Sequence, residues 1–126
     1  MSVLNMVTDI IRIKMKRLKD EMPKVNIYLF GETIKYNKLP KYTPINVLIE
    51  FVDVDSYEMK ATARTIYNVV TKTSLFRRLK RLGYHPYFIA VKEGEAYEST
   101  DMFQKNVYSL IQDLLQAPRV KIYPVQ

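Results

Sequence analysis

Apolar residues recur at two different periods along this chain, and the switches between them predict its elements. From Ser2 to Met22, the residues Leu4, Val7, Ile11, Met15, Leu18 and Met22 fall in one stripe of a 3.6-residue wheel, which predicts a helix with that stripe turned to a core. Met6, Ile10 and Ile13 fall on another side, with Arg12, Lys16 and Lys19 on the flank between. Either the core face is wide, or this second patch meets another subunit. Pro23 stops the helix, and Val25 to Phe30 has the β-branched and aromatic content of a strand, closed by Gly31 and Glu32. Residues 33–42 are too polar for a core. In Ile45 to Val54 the period becomes two: Ile45, Val47, Ile49 and Phe51 share one face, Leu48 and Val52 the other. A strand apolar on both faces is covered on both sides, hence central.

The helical period then returns. Asp55-Ser56-Tyr57-Glu58 has the spacing of a capping box, and Met59, Ala63, Ile66 and Val70 form the buried stripe behind it. Thr73 or Ser74 restarts a second helix with Leu75, Phe76, Leu79 and Leu82 on its apolar side and Gly83 as its carboxy-terminal cap. Pro86 to Lys92 predicts a third strand and Glu93 to Glu98 a polar turn. Thr100 to Gln116 predicts a helix with Phe103, Val107, Leu110, Ile111 and Leu114 inward, and Arg119 to Tyr123 a short edge strand. The fold class expected is α/β (α+β): a single domain over residues 1–126, in the order α-β-β-α-β-α-β, with a mixed sheet of about four strands packed by helices.

Composition narrows the chemistry. The chain has 126 residues and no cysteine, which removes disulfides, thiolate zinc sites and cysteine nucleophiles together. No apolar stretch approaches the roughly 20 residues that span a bilayer, and the amino terminus lacks the order of a signal peptide, so a soluble protein is expected. The net charge of +7 is uneven: residues 1–42 carry nine cations and four carboxylates, 43–73 three and four, 74–126 eight and five. Such a balance favours an anionic partner, nucleic acid or an acidic protein surface.

Three constellations are candidates for function. Lys35, Tyr36, Lys38, Lys41 and Tyr42 alternate cations with aromatics, a composition that suits single-stranded nucleic acid or a protein interface equally. Arg77, Arg78, Lys80 and Arg81 form a second basic cluster, on the polar side of a helix whose dipole they complement. Glu50, Asp53 and Asp55 are oxygen ligands by type, but their place at a strand end before a helix start also suits capping. His85, the one histidine, stands at a helix-to-strand turn far in sequence from any nucleophile. No catalytic set, cofactor, metal or small-molecule substrate is expected from these residues.

Two families resemble parts of the chain. Leu29-Phe30-Gly31 followed by Pro44-Ile45-Asn46-Val47-Leu48-Ile49-Glu50 resembles the frame of minimal nucleotidyltransferases of the polymerase β type. Glu32 stands where that family has serine, and Pro44 and Asn46 where it has the two metal-binding aspartates, so the resemblance implies a catalytically inactive descendant. The first helix, then Met22-Pro23-Lys24-Val25-Asn26-Ile27-Tyr28, Gly31-Glu32 and the proline-led strand at Pro44 resemble small tail-terminator and neck proteins of tailed bacteriophages. That resemblance covers residues 1–53 and implies a non-catalytic viral structural subunit that forms a ring or docks on a larger complex, in the virion or host cytoplasm. The helix predicted at 100–116 departs from the pattern. A basic nucleic-acid-binding protein is the third reading.

Overall fold

The computed structural model describes residues 3–31, 34, 42, 44–92, 95–98 and 116–125. Helix α1 runs Val3–Leu18 and ends in a single 3-10 turn, Lys19–Glu21. Strand β1 (Val25–Phe30) and strand β2 (Pro44–Phe51) follow. A helix pair, α2 (Ser56–Thr71) and α3 (Ser74–Arg81), leads to β3 (His85–Lys92) and β4 (Glu95–Glu98), and β5 is Arg119–Tyr123. The five strands form one mixed sheet in the order β4-β3-β2-β1-β5. β2 pairs antiparallel with β1 and parallel with β3; β4 and β5 are antiparallel edges. The chain is thus a small α+β domain with β2 at the centre of its sheet, where the two-sided apolar pattern places it.

Period-two alternation decides which side chains meet the helices. Val25, Ile27 and Leu29 of β1, Ile45, Val47, Ile49 and Phe51 of β2, Phe88 and Ala90 of β3, and Ile122 of β5 lie in one buried cluster with Val7, Ile11 and Met15 of α1 and the stripe Met59, Ala63, Ile66 and Val70 of α2. Each such fully buried aliphatic side chain contributes about 1.5–3 kcal/mol. Tyr67 of α2 meets Phe88 edge-on, ring centres 5.3 Å apart. On the opposite face Phe30, Leu48 and Ile89 form a second buried cluster, flanked by Tyr28, Tyr87, Val91 and Ala117.

Several expectations are corrected. Val52 lies past the end of β2 and is exposed rather than sharing the face of Leu48. Leu82 is also exposed, because the helix ends at Arg81 and turns it away from the side that buries Phe76 and Leu79. Glu95–Glu98 is an edge strand, not a turn: Lys92 pairs with Glu95, so the chain reverses between them. An edge strand draws its bonds from the backbone of one neighbour and needs no apolar run, so the pattern hides it. The helix predicted over Thr100–Gln116 lies outside the described residues except at Gln116.

Edge strand β5 is guarded. Ile27 faces Tyr123 while Tyr28 faces Lys121, so Ile122 is an extra residue on β5, a bulge. The bulge sends the Ile122 side chain into the core, 3% exposed, and the Arg12 Nε of α1 donates to its carbonyl at 2.7 Å. Pro118 and Pro124 bracket the strand. Bulge, prolines and clamp together oppose extension of the ladder by a further strand.

Candidate interaction surface

The helix pair is built by short-range bonds. Asp55 caps α2, its carboxylate accepting from the Glu58 N–H at 2.7 Å. The Thr73 hydroxyl donates to the Val70 carbonyl at 2.8 Å and accepts from the Phe76 N–H at 3.3 Å, so one side chain closes α2 and opens α3. Arg77 spans the same turn, with Nε and Nη2 donating to the Lys72 carbonyl at 3.1 and 2.8 Å. Its guanidinium therefore belongs to the scaffold of the turn as well as to the surface.

Around α3, Lys80, Arg77, Arg81 and Arg78 succeed one another on the side opposite Phe76 and Leu79, and all four are exposed. Residues 72–81 hold five cations and no carboxylate. The two acids in residues 55–81 are the N-cap Asp55 and, in the first turn of α2, Glu58, about 20 Å from α3 along a helix rising about 1.5 Å per residue. The described helical segments 3–24 and 55–81 carry +3 and +5.

Beyond α3, Gly83 takes φ +95, its N–H donating to the Lys80 carbonyl and that of Tyr84 to the Leu79 carbonyl, the paired bonds of a Schellman cap. A methyl group on Gly83 would lie 2.7 Å from two ring carbons of Tyr42, so that ring rests against the glycine. The reason is register. Pro44 pairs with His85 in the parallel ladder, and two residues earlier on each strand stand Tyr42 and Gly83. Tyr42 is 76% exposed and held at φ 67, a left-handed conformation that costs a side-chain-bearing residue about 1–2 kcal/mol. One end of the polar loop and the basic helix, separate in sequence, thus meet at one corner.

The other sequence candidates are distributed differently. Lys35, Tyr36, Lys38 and Lys41 lie outside the described residues. The second apolar side of α1 is not a free patch: Ile10 packs against the core, Met6 is half-buried, and Ile13 alone of the three is exposed, at 48%. Ile10 stands at the core margin, because a helix packed against both the sheet and α2 buries a wide sector. Of the three carboxylates, Glu50 accepts from the cross-strand Asn26 amide at 3.0 Å, Asp55 caps α2, and Asp53 is exposed. Among the described residues no three His, Cys, Asp or Glu side chains are grouped to hold a metal. The Asn46 amide lies 3.4 Å from where a Gly31 methyl would be, so Gly31 and Asn46 are neighbours. A cleft of about 310 Å³ between the end of α1 and β5 is lined by Met15, Lys19, Met22, Lys24 and Tyr123 among others, with no carboxylate, imidazole or thiol in its described lining.

The sequence signal that finds this corner is Gly83 as a cap together with the cation run of α3; Tyr42 becomes part of it only through the strand register. No helix among the described residues is long and apolar enough to cross a membrane. Comparison with protein-family models, with curated proteins and with solved structures gives no match.

Proposed function

We propose that the protein is a non-catalytic assembly subunit that joins copies of itself head to tail, in the manner of the ring-forming tail-terminator and neck proteins it resembles. The feature that supports this reading is the composition of the two edge strands: Arg119 and Lys121 belong to β5, Glu95 and Glu98 to β4. Edge strands of opposite net charge suit a heterologous contact, which closes into a ring when the rotation between copies permits. Because the bulge, the prolines and the Arg12 clamp oppose a continuous ladder through β5, the contact is made by side chains and is sensitive to salt.

Light scattering over a range of concentrations tests it. Association that weakens with salt is expected, with Arg119→Glu/Lys121→Glu monomeric and Glu95→Lys/Glu98→Lys equally so. Mixing the two reversed variants should restore association, through native edges at one junction and charge-swapped edges at the next. A strict monomer at every concentration, with no complex formed on candidate neighbours, overturns the reading.

A further inference from the structure

We propose that the corner formed by α3 and Tyr42 binds single-stranded nucleic acid, with Tyr42 as a stacking platform and Arg78, Lys80 and Arg81 as phosphate contacts. This site is separate from the sheet edges and does not depend on the assembly reading. Three observations carry it. The first is the uniform sign of the surface: five cations and no carboxylate over residues 72–81, with the exposed side of α3 cationic at four successive wheel positions. A regularly charged backbone matches such a field.

The second is Tyr42 itself. Its ring rests against Gly83, which has no side chain to obstruct it, and 76% of the residue is exposed. A flat aromatic surface backed by main chain and open to solvent is what an unstacked base lies on, and every base has such a face to offer. A duplex keeps its bases stacked and gains nothing from the ring, which selects the single strand. The third is position. Gly83 follows α3 directly, bonded back to Lys80, so the ring and the phosphate-binding side chains are fixed to the same helix end. The left-handed backbone at Tyr42 is a departure from the ordinary at the one place where the ring is presented.

The test is fluorescence anisotropy of a labelled oligothymidylate, titrated with the full chain at several salt concentrations, beside a duplex of equal length and poly-glutamate. Single-strand binding that weakens with salt is expected. Tyr42→Ala should weaken it about tenfold with an unchanged salt slope, Tyr42→Phe should retain it, and Arg78→Ala/Lys80→Ala/Arg81→Ala should lower the slope by about 2. All substituted side chains are exposed, and thermal melts confirm that each variant is folded. The edge variant Arg119→Glu/Lys121→Glu is titrated in parallel: oligothymidylate binding retained in a variant that no longer associates shows the two sites to be independent, whereas a wild-type chain that binds the oligonucleotide but never associates counts against the assembly reading alone. No binding of the oligothymidylate at about 50 mM salt overturns the proposal. So does a duplex bound as tightly and indifferent to Tyr42, or poly-glutamate bound as tightly and lost with the same variants, which would assign the corner to an acidic protein surface.

Discussion

At Gly83 two independent demands meet on one residue. Its φ of +95 excludes most side chains, and the Tyr42 ring occupies the space that a methyl would take. Gly83→Ala should destabilise the domain by about 1–2 kcal/mol in urea unfolding, chiefly from the left-handed backbone. Repeating the substitution in a Tyr42→Ala background separates the terms: the cost that remains belongs to the backbone, and the cost that disappears belongs to the ring. Tyr42 lies under the opposite tension, since its own backbone is left-handed without glycine's freedom. Asparagine tolerates that conformation better. Tyr42→Asn should therefore hold or raise the melting temperature while it weakens oligothymidylate binding, and a fall in both would mean that the ring is there for stability. Glycine as a helix cap was legible in the sequence from the basic run before it. The second demand was not, because Tyr42 reaches it through the pairing of two strands, which no local pattern specifies.

Among elements, the α2–α3 pair holds the basic surface in place with a turn of two residues, Lys72 and Thr73. Thr73→Ala removes a bond at each helix end and should cost about 1 kcal/mol of stability, seen as a lowered melting temperature. Arg77→Ala should also lower it, by releasing the Lys72 carbonyl, yet should change the salt slope of binding less than any of Arg78, Lys80 or Arg81 does. Equal slopes for all four would show that the tether to Lys72 opens when an anion is present. Asp55 and Thr73 were legible as caps because their side chains bond within three residues. The split of the four cations into one tethered and three outward was not legible, since it depends on which way a guanidinium folds back. Strand β4 escaped the pattern for a different reason: Glu95-Ala96-Tyr97-Glu98 is paired through its backbone, and its composition reads as turn.

For the whole molecule, the succession from α1 to β3 and the central place of β2 followed from two periods of apolar residues, because burial on both faces is written into consecutive positions of one strand. What the periods could not supply was the placement of charge in space, with four exposed cations gathered on α3. Arg12 links these levels, as a helix residue that bonds the Ile122 carbonyl at the bulge. Arg12→Ala leaves that carbonyl without its donor and should cost about 1 kcal/mol. It should also make self-association less sensitive to salt, as the edge becomes able to extend by backbone bonds; association unchanged in salt dependence would show that the bulge alone guards the strand. The contact between Tyr42 and Gly83 has a consequence in time as well. It exists only after β2 and β3 have paired in parallel around the intervening helix pair, a long loop to close and hence a late event. The chain has no tryptophan, so Tyr42→Trp would give it a single indole placed at that junction. Its fluorescence in a refolding experiment should change after the far-ultraviolet signal of the helices has recovered, making this corner a clock for the completion of the sheet.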